Sequence, residues 1–231
     1  MRIVIATIKS WNIENANKLM ELYKNQWKIK VITSKADLTK SLLDEFKPDY
    51  IFFPHWSWLV PEDIFKTYEC IGFHLGDLPY GRGGNPLQNH IIRKIYNTKI
   101  TAFRIGEGID RGKIYLKRDF YLGVGRAEEL FIKISEIIFF DMIPFIIKFR
   151  PKPYEQVGES YMFQRRTEQQ SDLLSANIND IQDFYDFVRM LDAEGYPKAY
   201  IKLGKLKIEF SEAVLYSNNV VGRFRVMLED K

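Results

Sequence analysis

The sequence predicts an α/β fold with a mainly parallel sheet, followed by a small α+β region that ends in a β-hairpin. Short apolar runs alternate with helical stretches over the first third of the chain, a pattern typical of parallel strands joined by helices. Beyond residues 150–153 the composition becomes more polar, and two strand-like segments flank a turn at 217–219. We therefore expect a boundary near residue 150, between a domain at 1–150 and a smaller region at 151–231.

Strands and helices alternate in the first third of the chain. Residues 2–7 form a short apolar run, which predicts a strand, and a polar turn separates them from a helix at 13–23. The apolar residues of that helix recur at intervals of three and four: Ile13, Ala16, Leu19, Met20 and Tyr23. The alternation continues with a strand at 27–33, a helix at 38–46 and, after the turn pair Lys47-Pro48, a strand at 50–53.

The same alternation extends to residue 150. A long helix at about 127–149 closes it, and although residues 130–147 are rich in Ile and Phe, three charged residues and Pro144 argue against a membrane span. We interpret this segment as a buried helix. The remaining predicted elements are strands at 70–74, 100–105 and 113–120, helices at 86–96 and around 181–191, and hairpin strands at 205–216 and 220–228.

The composition is that of an ordinary globular chain. Of the 231 residues 46% are hydrophobic, which is enough for a buried core with a small appendage. The 34 Lys and Arg against 30 Asp and Glu leave a net charge of +4, too mild by itself to indicate a nucleic-acid or membrane partner. Cys70 is the only cysteine, which excludes disulfides within the chain and thiolate zinc clusters. With no secretion signal visible, we expect a cytoplasmic protein.

Several common nucleotide-binding and hydrolase motifs are missing. Residues 6–11, after the first predicted strand, contain no glycine, so binding of NAD or FAD in the usual manner is not expected. The chain also lacks a phosphate-binding GxxxxGK[ST] loop, a GxSxG nucleophile elbow and an HExxH zinc helix. The most frequent chemistries of α/β enzymes are therefore excluded.

Two segments carry residues suited to catalysis. His74 ends a predicted strand and precedes a glycine-dense loop, and ligands of parallel sheets bind at strand ends. Imidazole titrates near neutral pH, and glycines let the backbone approach a ligand closely. On this segment alone, a core histidine beside a tight loop is an equal alternative. The second segment places Asp110 in a tight turn between two predicted strands, where an aspartate by itself needs no function.

Together the two segments resemble the formyltransferase family that uses 10-formyltetrahydrofolate, and most of all its sugar-nucleotide members. The family signature has a histidine five residues before the proline of a Leu-Pro pair, then Arg-Gly, and later Asp-x-Gly-x-Ile. The matching residues here are His74, Leu78-Pro79, Arg82-Gly83 and residues 110–114. The loop at 53–61 resembles the family's folate-contacting loop, and stretches of the sugar-nucleotide members resemble residues 165–167, 188–192 and 196–200.

The resemblance implies a Rossmann-like formyltransferase core at 1–150 and a C-terminal region at 151–231 for substrate binding, dimerisation or both. When an amine attacks a formyl carbon, a base must take the amine's proton, and donors must face the oxygen that becomes negative. The resemblance implies that His74 is the base or oxyanion contact and that Asp110 orients it. A carboxylate beside an imidazole favours its charged form and makes it a better proton acceptor.

Two positions depart from the family pattern. Most members have an asparagine two residues before the histidine, where its amide faces the oxyanion, and this position is Gly72 here. Loss of such a donor costs on the order of 3 kcal/mol of transition-state stabilisation. Asn85 in the same loop is a candidate substitute, although an asparagine before Pro86 is also a typical helix N-cap. The second departure is Phe103, where many members carry a histidine.

Further site residues follow from the resemblance. The expected folate contacts are Trp56, Ser57, Trp58, Leu59, Leu78 and Ile105, and His55 either lines the same pocket or is structural. Aromatic residues near a strand end are, however, more often part of a core. Guanidinium groups pair with phosphate oxygens, while a solvated basic face is the slightly favoured alternative for each arginine taken singly. The expected substrate contacts are Arg82, Gly83, Arg165, Arg166 and Arg189.

The predicted function is transfer of a formyl group from 10-formyltetrahydrofolate to the amino group of a nucleotide-linked amino sugar, a dideoxy sugar destined for surface glycans. The expected enzyme is a homodimer that needs no metal and has no nucleic-acid or membrane partner. Formylation of methionyl-tRNA is the first alternative, disfavoured because residues 151–231 are few and lack a dense basic face. Formylation of glycinamide ribonucleotide and a non-catalytic folate or nucleotide-sugar binding protein stay open, the latter because of Gly72.

Overall fold

The chain alternates strands and helices, in agreement with the predicted α/β class. The computed structural model describes residues 1–229. Its strands are β1 (Arg2–Ala6), β2 (Lys28–Ile32), β3 (Tyr50–Phe53), β4 (Cys70–Leu75), β5 (Tyr80–Gly83), β6 (Asn97–Arg104), β7 (Ile114–Tyr121), β8 (Tyr161–Phe163), β9 (Ala199–Leu203), β10 (Leu206–Leu215) and β11 (Val220–Leu228). Its α-helices are α1 (Ser10–Leu22), α2 (Lys40–Phe46), α3 (Glu62–Phe65), α4 (Pro86–Ile92), α5 (Ala127–Ile137), α6 (Ile143–Phe149) and α7 (Ile181–Arg189).

A six-stranded sheet with the order β2-β1-β3-β4-β6-β7 is the centre of the fold. β1 pairs in parallel with β2 and with β3, and β3 pairs in parallel with β4, whereas β4 and β6 are antiparallel. The predicted mainly parallel sheet is therefore confirmed. β1, β3 and β4 are buried along most of their length, as their continuous apolar sequences predict for strands covered on both faces. Their carboxyl ends share one edge of the sheet, where the loops that follow them meet.

The predicted C-terminal hairpin is also present. β10 and β11 pair antiparallel, and the backbone N–H of Tyr216 closes their turn by donating to the oxygen of Asn219 at 2.9 Å. β9 pairs antiparallel with the other side of β10, so the region ends in a three-stranded sheet. The α+β character expected for this end of the chain is confirmed.

The long helix predicted at about 127–149 is interrupted in the structure. α5 is followed by a π-helical turn at Ile138–Met142 and then by α6. Pro144 explains the interruption, because proline lacks an N–H and its ring displaces the carbonyl four residues earlier. Phe139 and Ile143 have no exposed surface, so this is a core helix. Within residues 1–229, no helix is both long and apolar enough to cross a bilayer.

Four short elements are not predicted by apolar spacing: β5, β8, β9 and α3. None exceeds five residues, which is too short for a period of 2 or 3.6 to be recognised. β5 also consists half of glycine, which is rare in strands, and it pairs with β8 in a two-stranded sheet. The glycine-dense segment after His74 is therefore partly a strand and not a plain loop.

The chain divides into two compact units. The first unit consists of Met1–Arg82, Lys99–Asp119 and Ile132–Met162. The second consists of Gly83–Thr98, Phe120–Phe131 and the chain from Phe163 onward. Both units thus draw on several separate segments of the sequence. The partition at residue 150, with catalysis assigned to the part before it, stays a prediction.

The two departures from the family signature pack against each other. Gly72 in β4 lies opposite Phe103 in the antiparallel register with β6. A Cβ added to Gly72 would lie 2.8 and 2.9 Å from two carbons of the Phe103 ring, closer than such atoms approach in proteins. The ring itself is buried against Leu78 and Ile114. Phe103 therefore occupies the space that a side chain at position 72 would need.

Replacement of Gly72 by Asn is expected to destabilise the protein by roughly 1–3 kcal/mol, because the new side chain overpacks the Phe103 ring. In a Phe103→Ala background the same replacement should cost little, since the space left by the ring accepts the carboxamide. Urea denaturation of the single and double variants measures this coupling. An equal cost of Gly72→Asn in both backgrounds would show that the two positions are independent.

Candidate active site

The His74 imidazole lies between two hydrogen-bond acceptors at the end of β4. Its Nε2 is 2.7 Å from the backbone oxygen of Gly81, and its Nδ1 is 3.5 Å from Oδ2 of Asp110. The residue is only 7% exposed. Because a carbonyl oxygen can only accept, Nε2 of the neutral ring carries the proton and donates it to Gly81. Nδ1 then holds the lone pair, and it faces the Asp110 carboxylate. The structure thus brings together the two residues that the sequence places 36 positions apart.

The turn that carries Asp110 is held closely against β6. Asp110 has a φ of +53°, in the left-handed region that aspartate tolerates better than most residues. Two residues later, Gly112 passes so near β6 that a Cβ there would lie 1.6 Å from the backbone oxygen of Arg104. Only glycine fits this approach. The glycine of the Asp-x-Gly pattern therefore fixes the turn against the sheet and places the carboxylate beside His74.

Gln156 braces the same turn, and the sequence gives no signal for it. Its Nε2 donates to the backbone oxygens of Asp110 and Gly112, both at 2.8 Å. Its Oε1 accepts from the guanidinium of Arg82, at 2.6 Å from Nη2 and 3.1 Å from Nε. A lone glutamine in a polar stretch matches no motif, and its role depends on where the fold brings residues 150–160. Gln156 joins Arg82 and Asp110 into one network.

Arg82 is a half-buried cation in that network. Burial is the main cause that lowers the pKa of its guanidinium, and the neighbouring Arg111 lowers it further, while Asp110 opposes the shift. Two arginines therefore lie near one carboxylate, and the local charge is positive. Binding of substrate by Arg82 stays a prediction, and the structure places its guanidinium close to the His74–Asp110 pair.

The loop after β3 presents aromatic side chains near the same sheet edge. The Trp56 ring meets Trp58 edge-on, with centroids 4.9 Å apart, and also contacts Phe53 at 6.1 Å. Nε1 of Trp56 is buried without a hydrogen-bond partner among the described residues. Ser57 is exposed, Trp58 is 39% exposed and Leu59 is 81% exposed. This loop therefore combines apolar surface with an unsatisfied donor.

The other two expected folate contacts pack into the core. Leu78 has no exposed surface and packs with Phe103 and Ile114. Ile105 is half-buried and packs against the same cluster. The side chain of Leu78 is therefore a core group, and a ligand would have to meet it through the backbone.

Five of the predicted site residues belong to the second unit. Asn85 begins α4 with a φ of +49° and makes no side-chain cap. Its Oδ1 instead accepts from the backbone N–H of Arg166 at 2.9 Å. The N-cap hydrogen bond that the Asn-Pro pair suggests is therefore absent from this helix. Gly83 ends β5, and Arg165 is an exposed residue whose backbone packs against Gly84.

Arg189 is a core residue and not a ligand contact, which corrects the prediction. It has no exposed surface. Its Nε donates to Oδ1 of Asp186 at 2.6 Å, and its Nη1 donates to the backbone oxygen of Gly125 at 2.9 Å. The guanidinium also lies over the rings of Tyr185 and Tyr96, at 5.2 and 5.9 Å. A phosphate cannot reach a guanidinium that is enclosed in this way.

Solved structures with the same fold include one that matches over the full length. A structure described as methionyl-tRNA formyltransferase from Clostridium thermocellum superimposes with a TM-score of 0.95, at 46% identity and with 99% of each chain covered. A sugar N-formyltransferase from Shewanella sp. gives 0.73 at 14% identity, covering 94% of this chain and 99% of that chain. HypX from Aquifex aeolicus in complex with tetrahydrofolic acid gives 0.74 at 20% identity, covering 92% and 38%. The latter two show the shared fold alone.

Sequence relatives carry the same name as the full-length match. A model of the methionyl-tRNA formyltransferase C-terminal domain matches residues 168–227. The methionyl-tRNA formyltransferase of Rickettsia felis is 35% identical over 92 residues, which are 39% of this chain and 30% of that protein. The one from Sulfurimonas denitrificans is 28% identical over 108 residues, 45% of this chain and 36% of that protein. The chain thus matches about a third of the length of these relatives.

These comparisons correct two of the sequence predictions. The expected nucleotide-sugar acceptor, with its link to surface glycans, is wrong, because the full-length match and the two curated relatives described above carry the name methionyl-tRNA formyltransferase. The expected absence of a nucleic-acid partner is wrong for the same reason. The region judged too small for a tRNA enzyme contains the segment at 168–227 that the methionyl-tRNA formyltransferase domain model matches. With 46% identity over 99% of a solved member, the chain belongs to the formyltransferase family.

Proposed function

We propose that the protein transfers a formyl group from 10-formyltetrahydrofolate to the amino group of methionyl-tRNA. One observation carries the proposal: the chain is similar over its full length to the Clostridium thermocellum methionyl-tRNA formyltransferase, and its His74 and Asp110 side chains meet. The domain match at 168–227 supports the same acceptor. The Gly72 departure does not remove the imidazole–carboxylate pair, so the geometry supports catalysis over ligand binding alone.

His74 is the group that takes the proton lost by the acceptor amine. As the amine nitrogen bonds to the formyl carbon it becomes positive and must release a proton. Nδ1 of His74 holds the lone pair for that proton, because Nε2 already donates to Gly81. The 3.5 Å separation of Nδ1 from Oδ2 of Asp110 is longer than a charge-assisted hydrogen bond.

Asp110 stabilises the charge that this proton transfer creates. The doubly protonated imidazole donates to the Asp110 carboxylate from Nδ1 and to the Gly81 oxygen from Nε2, so both of its neighbours are satisfied. His74 then gives up the proton as the bond between the folate nitrogen and the formyl carbon breaks. 10-Formyltetrahydrofolate supplies the formyl group and, after transfer, the nitrogen that takes up this proton. The role of Asn85 as a donor to the carbonyl oxygen stays a prediction, and its Oδ1 accepts from the backbone N–H of Arg166.

The loop after β3 fits a folate. A pterin is flat and has polar edges, so it needs apolar surface and a small number of polar partners. Trp58 and Leu59 offer exposed apolar surface, and Nε1 of Trp56 is a buried donor without a partner in the described part of the chain. An unsatisfied buried donor is costly, and a ligand atom that accepts from it removes the cost. We assign the pterin end of the co-substrate to these three side chains.

His55 keeps this loop uncharged. Its φ is +55°, and its ring meets Trp11 edge-on with centroids 6.0 Å apart. Burial, and to a smaller extent the charge of Lys9, lowers the pKa of His55 from 6.5 to about 4. The imidazole is therefore neutral at physiological pH, beside the residues assigned to the folate.

Replacement of His74 or Asp110 by Asn should lower kcat for formylation of methionyl-tRNA by at least about 100-fold, the loss typical of a missing acid–base group. Binding of the tRNA should change little, because the pair acts on the reacting atoms. Formyl transfer is followed by mass spectrometry of the aminoacyl product, and tRNA binding by fluorescence anisotropy. Asp119→Asn is the matched control, since Asp119 is a 90% exposed partner of Lys99. Wild-type turnover in both the His74 and Asp110 variants would refute these roles.

The His55→Asn variant should resist acid better than the wild type. The pKa of His55 is about 4 in the folded protein, against an ordinary value of 6.5. At a pH between these two values the imidazole takes up a proton only when the protein unfolds, so wild-type stability falls as the pH drops below 6.5. The loss between pH 7 and pH 5 is up to roughly 2 kcal/mol. Asparagine tolerates the left-handed backbone at this position. Urea unfolding at both pH values tests this, and the same acid loss in variant and wild type would contradict it.

A further inference from the structure

The second unit contains a cavity that the proposed chemistry does not use. Its volume is about 340 Å³, in the range of small-ligand sites. Ile91, Ile178 and Met190 contribute an apolar wall, and Arg166 and Gln170 contribute a polar one. All of these residues belong to the second unit, so the cavity is complete within it.

Arg166 lines this cavity with a guanidinium that is not fully used. One terminal nitrogen donates to the backbone oxygen of Gln170, but Nε is buried and has no partner among residues 1–229. The backbone N–H of Arg166 donates to Oδ1 of Asn85, which holds the residue in place. Burial, and next the charge of Arg93, lowers the pKa of the Arg166 guanidinium. The positive charge of Arg166 is therefore poorly compensated. A bound anion would balance this charge and accept a hydrogen bond from Nε.

The two carboxylates that line the cavity do not supply that anion. Asp183 pairs with Lys94 at 2.6 Å, and Asp186 pairs with Arg189 at 2.6 Å. Throughout the described part of the chain, Arg166 forms no ion pair of its own. The cavity thus holds one uncompensated cation beside an apolar wall.

Building on the proposed function, we propose that this cavity binds one nucleotide of the acceptor tRNA, with Arg166 paired to its phosphate. Guanidinium N–H groups match phosphate oxygens in geometry and charge, and the Nε donor of Arg166 has no other partner among residues 1–229. The apolar wall of Ile91, Ile178 and Met190 receives the base or the ribose. One arginine balances the single charge of a phosphodiester, whereas a di- or triphosphate needs several cations or a backbone cradle. This favours a nucleotide within an RNA strand over a free nucleotide.

The test uses the full chain and a fluorescein-labelled transcript of a methionine-accepting tRNA. Arg166→Gln should weaken binding about tenfold, the loss expected for one charge-assisted contact. It should also reduce the slope of log K against log salt by about 0.7–0.9, because one fewer phosphate is neutralised. Lys205→Gln makes the same charge change at an exposed position of the second unit that does not line the cavity, and it should leave affinity and slope near wild type. Ala176→Trp fills the cavity without changing charge and should weaken binding as Arg166→Gln does.

The outcomes separate this inference from the proposed function. If the wild type formylates methionyl-tRNA while Arg166→Gln and Lys205→Gln bind the tRNA alike, the cavity assignment is wrong and the function stands. If the wild type neither binds nor formylates the tRNA, both the cavity assignment and the proposed function are wrong. Thermal melting in inorganic phosphate is the second readout. If phosphate stabilises the wild type but not Arg166→Gln, and Arg166→Gln binds the tRNA like the wild type, the cavity binds free phosphate and the RNA assignment is wrong. A matching loss in Arg166→Gln and Ala176→Trp, both folded by melting, supports the proposal.

Discussion

The placement of one imidazole between a backbone carbonyl and a carboxylate is the constraint on which the site depends. The carbonyl of Gly81 fixes the proton on Nε2 of His74, and this leaves Nδ1 as the nitrogen that can accept another. The Asp110 carboxylate lies 3.5 Å from Nδ1, and its interaction with the ring becomes favourable once the ring is charged. Two residues outside the pair hold Asp110 in place. Gly112 lets the turn that carries Asp110 approach β6, and the Gln156 amide donates to two backbone oxygens of that turn.

The Gly72–Phe103 contact shows how core packing and site chemistry are linked. A side chain at position 72 overpacks a large ring at position 103, since both need the same space between β4 and β6. The chain has the ring, and therefore an apolar wall at the position where the family resemblance implies an amide. Any side-chain donor to the reacting oxygen must therefore come from another position. The contact links two residues that are 31 positions apart in the sequence.

Sequence reasoning predicted the fold class, because apolar runs mark parallel strands and the loops after such strands meet at one edge, and the family resemblance implied the His74–Asp110 pair. It could not predict Gln156, whose role depends on which turn the polar segment lies against. It misplaced Arg189, since the sequence does not distinguish an arginine enclosed by Asp186 and two tyrosines from a solvated one. The acceptor was wrong because a net charge of +4 sums all the charged groups and does not show where an unpaired cation lies. Arg166 is such a cation.

The protonation state of the His74 ring is the most direct test of this account. The chain has three histidines, so ¹⁵N-labelled imidazole signals can be assigned by comparison with the His74→Asn variant. At a pH where the ring is neutral, NMR should show His74 with its proton on Nε2 and an unprotonated Nδ1. A neutral His74 with its proton on Nδ1 would contradict the account, because the nitrogen assigned to take the amine's proton would already be occupied.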